Sequence, residues 1–298
     1  MQQAKFKGLL FAILGSILWG CSGTAAQIIF QNTNIKPFWL VGVRLVSAGI
    51  LLIISSSIIS GPQTFTILRD KRNIWGLILF AALGMVPSQL TYFLAIHYGN
   101  AATATILQFM GPLFIIIFLA FENQERPRRI DLISIVIAII GTLLLVTKGH
   151  LNGLSLSPLA IFWGIMAGVA QAGYTLTPRR LLRHFDASIV TGWAMLFGSI
   201  PFLGAIVNER PSTIAPQTIL LIIFIIIGGT MFSYLFYISS LKYLKADTTG
   251  MLSSFEPLTA AFLAIFLLGL HVGFAEIIGS ILILSTAFLQ ALPNKISE

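Results

Sequence analysis

The chain has 298 residues, of which 56% are hydrophobic and 9% charged, with a mean hydropathy of +0.92; a soluble domain is roughly 45–50% apolar, so a water-soluble globular protein is excluded. The net charge is +8, but the basic residues stand in small groups between apolar runs, which excludes a nucleic-acid-binding face and reads instead as membrane topology. The single cysteine, Cys21, excludes an internal disulfide framework and a cysteine-built zinc site.

A spanning helix takes about 20 mostly apolar residues, and ten such stretches follow one another: 8–30, 37–60, 74–98, 101–121, 130–147, 157–176, 188–207, 219–241, 247–270 and 273–292. Lys5 and Lys7 precede the first, which has no clear cleavage site and reads as a retained helix. Within it, Leu18-Trp19-Gly20-Cys21 is a poor lipidation box, because Trp19 fills a small-residue position; Cys21 reads as a small buried residue. The second stretch carries Arg44, about 10 Å deep at 1.5 Å per residue, where it either receives a substrate carboxylate or snorkels outward. The third holds Gln89 and Tyr92, with His97 near its end at the interface, and the fourth holds Gln108 and Pro112. The sixth holds Trp163, Gln171, Tyr174 and a Gly164-x-x-x-Gly168 packing motif, with Gly20 and Thr24 its small-residue equivalent in the first. Tyr234 lies in the eighth, Asp247 stands as an N-cap before the ninth, and Glu256 precedes Pro257 inside the ninth. Pro112 and Pro257 are expected within their helices, each removing a backbone bond and bending the chain, as hinges or as static kinks. Trp39 and Trp75 fall near opposite helix ends, the places of an aromatic belt.

With the N-terminus in the cytoplasm, fourteen of the eighteen Lys and Arg fall in inside segments, and only Lys36, Lys148 and Arg210 in outside ones. The positive-inside rule therefore predicts both termini cytoplasmic. The chain also repeats itself. At an offset of 145, Tyr98, Ala101, Leu107, Pro112 and Phe121 meet Tyr243, Ala246, Leu252, Pro257 and Phe266, while Gly84, Gln89, Tyr92 and Asp131 meet Gly229, Tyr234, Tyr237 and Glu276. At 144, Trp19, Gly20, Ala26 and Gln27 meet Trp163, Gly164, Ala170 and Gln171. The expected fold is an all-α polytopic membrane protein of ten helices, divided into repeats at 8–147 and 157–292. Five helices per repeat end on the side opposite to where they began, so the second copy enters inverted.

Inverted repeats exchange conformations around a site at their interface near the bilayer midplane. Polar side chains within apolar helices belong there, since facing lipid is costly. The substrate-binding candidates are Trp19, Arg44, Gln89, Tyr92, Gln108, Trp163, Gln171, Tyr174, Tyr234 and Glu256, although Gln and Tyr equally serve as hydrogen-bonding glue between helices. Glu256 is the proton-coupling candidate: an ionised side chain at a helix centre costs about 2.5–3.5 kcal/mol, so the carboxyl either exchanges a proton, pairs with a cationic substrate, or braces the bend at Pro257. Its repeat position is Gly111, which makes the pair of copies acidic on one side only.

Leu18-Trp19-Gly20, Arg44, the run Asn100 to Pro112, Phe162-Trp163-Gly164 and the run Ser253 to Leu258, in this order on ten helices, resemble the drug/metabolite transporter superfamily, specifically proteins with two EamA domains. The resemblance covers about residues 8–292 and is most similar to bacterial carboxylate, amino acid and amine transporters. It implies a ten-helix basket in the cytoplasmic membrane and secondary transport, often export, of small metabolites. The chain lacks an acid beside Pro112, where relatives can carry one, which places the weight on Glu256. The expected partners are a small-molecule metabolite, protons and the bilayer, with no cofactor, no metal and no nucleic acid. An intramembrane enzyme acting on a lipid or isoprenoid is the competing reading; no His-Glu-x-x-His, Gly-x-Ser-x-Gly or Gly-x-x-x-x-Gly-Lys supports it. A non-transporting sensor would be expected to carry an appended soluble domain or a long tail.

Overall fold

Inside hydrocarbon every backbone N–H and C=O must find its partner within the protein, and a helix achieves this locally. The computed structural model, which describes residues 2–123, 129–149, 156–240, 243–244, 249 and 252–290, accordingly contains helices and no strand among the described residues. The apolar helices are α1 (Gln2–Asn32), α2 (Pro37–Ser60), α3 (Lys71–Tyr98), α4 (Ala101–Glu122), α5 (Arg129–Thr147), α6 (Pro158–Leu176), α7 (Ala187–Asn208), α8 (Pro216–Ser240), α9 (Phe255–Leu268) and α10 (Phe274–Gln290). Seven are long and apolar enough to cross a membrane; the apolar parts of α5, α9 and α10 are shorter.

Local chemistry sets the ends. Pro37, Pro158 and Pro216 open α2, α6 and α8, where the missing N–H would have had no helical partner. Asp70 caps α3 by accepting from the Arg72 N–H at 2.9 Å, and Asn100 caps α4 by accepting from the Thr103 N–H at 2.8 Å. Gln27 reaches across from α1 to accept the Ala101 N–H at 2.7 Å, so a side chain of one helix satisfies the start of another.

The packing has a twofold pattern. α1 lies on α8 and α9, as α6 lies on α3 and α4; α2 contacts α3 and α8, as α7 contacts α8 and α3; α2 also pairs with α7, α4 with α9, and α5 with α10. Each helix of one half thus sits on the helices that its counterpart's partners match. Small residues allow the close approach: a Cβ on Gly20 would strike the Glu256 carbonyl of α9, and one on Gly164 would strike Leu107 of α4. The main core runs through α1, α2, α3, α6, α7 and α8, and a smaller one, with Leu107, Leu113, Leu145 and Ile283, joins α4, α5 and α10. Large apolar side chains such as Ile58, Phe121, Phe266 and Phe274 point outward on the surface that lipid would cover.

Three expectations need correction. Pro112 and Pro257 do not bend continuous helices. The chain breaks first, at Phe109–Met110 and at Ser253–Ser254, and each proline then falls in the first turn of a new helix, Gly111–Asn123 or Phe255–Leu268, where it costs no hydrogen bond. Trp39 is not in an aromatic belt: it is 7% exposed and packs in the main core, whereas Trp75 is 70% exposed. Cys21 is half-buried rather than enclosed. Arg126, Arg128, Lys242, Lys245, Ala246, Asp247 and Lys295 lie outside the described residues.

A feature absent from the sequence reading interrupts α3 and α8 alike. One wide, π-type turn spans Ala81–Met85 in α3 and another spans Ile227–Phe232 in α8, with the repeat-related glycines Gly84 and Gly229 inside them. In the second, the hydroxyls of Thr230 and Ser233 donate to carbonyls five residues back, those of Ile225 at 2.8 Å and Gly228 at 2.7 Å. Such turns loosen the backbone ladder and commonly accompany function.

Candidate functional site

Arg44 projects from α2 into the protein and is 4% exposed. Its Nε–H donates to Thr230 Oγ1 at 2.6 Å and an Nη2 N–H donates to the Gly229 carbonyl at 3.2 Å, so the wide turn of α8 holds the guanidinium. The Phe93 ring of α3 lies beneath it, 5.0 Å from centroid to Cζ, a cation–π contact in a desolvated setting. Arg44 therefore does not snorkel outward.

Glu256, in the first turn of α9, is partly exposed. Arg44, Tyr92, Tyr234 and Tyr237 all lie within its electrostatic reach. Arg44 and Glu256 are nevertheless not in contact: the ion pairs among the described residues are Lys36–Glu209 at 3.4 Å and Lys148–Glu276 at 3.2 Å, both elsewhere. A basic and an acidic side chain thus face one region from different halves of the chain without closing on each other.

Aromatic rings wall this region. Trp19 of α1 stands edge-on to Tyr234, with centroids 5.3 Å apart, and leans on Tyr237 at 5.2 Å. Tyr174 of α6 lies 6.2 Å from Tyr234 and 5.4 Å from Phe80. The Tyr92 hydroxyl is 2.9 Å from Thr105 Oγ1; Thr105 already donates to the Ala101 carbonyl, so Tyr92 is the donor. Arg44, Tyr92 and Tyr234 are buried, whereas Trp19, Tyr174, Tyr237 and Glu256 keep partial exposure.

Of the ten candidates, Trp19, Arg44, Tyr92, Tyr174, Tyr234 and Glu256 converge. Gln108 and Gln171 instead bond to each other, Nε2 to Oε1 at 3.4 Å, and a Cβ on Gly111 would strike Gln171; this pair joins α4 to α6 where the acid is missing from the first half. Gln89 is buried one turn before Phe93 on α3, and Trp163 stands against Phe162. Among the described residues no hydrogen bond or ring contact ties either to Arg44 or Glu256. The sequence reading missed Tyr237, although its repeat offset from Tyr92 pointed to it. It also missed Phe93 and Thr230, which carry no signal in an apolar run. A pocket of about 610 Å³ opens elsewhere, between the linkers around α2 and α7, lined by Gln63, Thr66, Arg183, His184 and Asp186 among others; none of its residues belongs to the charged cluster.

The EamA-like transporter family matches the chain twice, over residues 6–147 and 158–292. The chain is 34% identical to the uncharacterized inner membrane transporter YicL of Salmonella typhimurium over 290 residues, covering 97% of this chain and 96% of that one. It is 24% identical to a "probable amino-acid metabolite efflux pump" of the same organism over 94% of this chain and 93% of the relative. A solved crystal structure is similar in fold, with a TM-score of 0.64 at 18% identity over 97% of this chain and 96% of that one.

Proposed function

The chain belongs to the EamA-like transporter family, and on that premise we propose that it is a secondary active transporter that exports small polar metabolites (amino acids, amines or carboxylates) across the bacterial inner membrane by alternating access, with Glu256 as the proton-coupling group. The observation that carries this reading is the approach of Arg44 and Glu256, one from each half, to one aromatic-walled region without an ion-pair contact. A solute bearing both a carboxylate and an ammonium suits that gap best: Arg44 takes the first, and Glu256 with the rings of Trp19 and Tyr237 takes the second. The names of the two Salmonella relatives support the membrane and the outward direction.

Ten spans in two inverted halves at 8–147 and 157–292, with both termini in the cytoplasm, complete the proposal. The family match in two segments and the exchanged helix pairs support it. The breaks before Pro112 and Pro257 supply the hinges, since a helix already interrupted there can swing at little cost in backbone hydrogen bonds. An ionised Glu256 would hold the substrate ammonium, and a proton taken up from the outside would displace it, so that protons moving inward drive substrate outward. In proteoliposomes, E256Q is expected to transport without responding to a pH gradient. Transport that keeps its full pH-gradient dependence in the mutant removes Glu256 from this role.

A further inference from the structure

Arg44 is placed by a hydroxyl whose direction is itself decided. Thr230 Oγ1 has one proton, and it goes to the Ile225 carbonyl at 2.8 Å, five residues back across the wide turn of α8. The oxygen can therefore only accept from the Arg44 Nε–H, at 2.6 Å. The Gly229 carbonyl next to it takes an Nη2 N–H at 3.2 Å. A guanidinium is planar with N–H groups in a rigid fork, so two bonds along one edge, with the Phe93 ring beneath its plane at 5.0 Å, determine where the remaining N–H groups point. In an ordinary α-helix the turn that contains Thr230 would tie its carbonyls at four residues' spacing. The wide turn brings the Gly229 carbonyl and the Thr230 hydroxyl to Arg44 together. The repeat-related turn in α3 has no arginine on it: a Cβ on its Gly84 would meet Phe80 and Thr177 instead.

We propose that Thr230, through the wide turn of α8, is a positioning residue that aims the free edge of Arg44 at the substrate carboxylate and so sets the preference for carboxylate-bearing substrates over their decarboxylated amines. The proposal rests on Arg44 serving as the carboxylate site. Thr230 touches no substrate; it acts on selectivity through Arg44 alone. Thr230→Val keeps the shape of the side chain and removes the acceptor, whereas Thr230→Ser keeps the acceptor.

The test compares binding of L-phenylalanine and phenethylamine to the purified full-length protein in detergent, read from tryptophan fluorescence. T230V is expected to weaken L-phenylalanine about tenfold and to leave phenethylamine within about twofold, and T230S to behave as the parent on both. Equal losses for both compounds in T230V, or none, overturn the proposal. A second readout needs no ligand. In protein labelled with ¹⁵N-arginine, the Nε–H resonance lost in R44K belongs to Arg44; it should shift in T230V and stay in place in T230S. An Arg44 resonance unmoved in T230V overturns the positioning claim by itself, whereas a parent protein that binds neither compound while its Arg44 resonance responds to T230V overturns the substrate reading and not the geometry.

Discussion

Arg44 and Glu256 are both ionisable groups in surroundings that do little to solvate a charge, and each lies within electrostatic reach of the other. Arg44 also has two hydrogen bonds and an aromatic face. Glu256 has a set of tyrosines and partial exposure. Breaking a buried charge pair by removing one member costs about 3–5 kcal/mol, because the survivor is uncompensated. Here the two are not in contact, so R44M is expected to destabilise by about 2–3 kcal/mol and the double variant R44M/E256Q to recover at least about 1 kcal/mol of it. Thermal unfolding of the purified variants measures both. A double variant no more stable than R44M would mean that the two charges do not compensate one another. Glu256 and Arg44 were legible in the sequence because an ionisable side chain in an apolar run demands a reason. Thr230 was not, since a threonine in a helix satisfies itself on its own backbone and announces no partner.

At the scale of elements, interruptions matter more than helices. The breaks in α4 and before α9 put Pro112 and Pro257 where proline is harmless, and the one before α9 also places Glu256 in a first turn. The wide turns in α3 and α8 sit at repeat-related positions, and Gly229 in the second is pressed against Ser22 of α1, with no room for a Cβ. G229A is therefore expected to lose about 1–3 kcal/mol of stability through overpacking, with part of the loss restored by S22G in the same chain; melting curves of the two variants decide. A G229A protein as stable as its parent would show that α1 and α8 are not packed this closely. Sequence periodicity places apolar helices well because length and hydropathy are local properties. It cannot see a wide turn, which differs from an α-turn by one residue in hydrogen-bond spacing and by nothing in composition.

For the whole molecule, the exchanged packing of α1 with α8 and α9, and of α6 with α3 and α4, makes the two halves interdependent. Neither half completes the candidate site: α1, α2 and α3 bring Trp19, Arg44 and Tyr92, while α6, α8 and α9 bring Tyr174, Tyr234, Tyr237 and Glu256. An arrangement of this kind suits a carrier in which one half rocks against the other around a shared site. Orientation is tested in a Cys21→Ala background. Cysteines replacing Arg72 or Arg180 are expected to escape a membrane-impermeant maleimide in intact cells, and one replacing Arg210 to be labelled. The reverse pattern would invert the topology.

The sequence by itself determined that this chain lives in a membrane, where its apolar helices run, that it is written twice, and which charges stand inside it. Those properties depend on composition, local period and self-similarity, all of which can be read without coordinates. Only the tertiary structure decided which polar residues meet. Gln108 and Gln171 matched the site criteria as well as Tyr174 did, yet they pair with each other at a helix contact, while Phe93 and Thr230 entered the cluster unannounced and Tyr237 was signalled only by its repeat offset from Tyr92. The reason is geometric: a side chain's neighbours depend on helix rotation and on where the ladder widens or breaks, and a shift of one residue turns a helix face by about 100°.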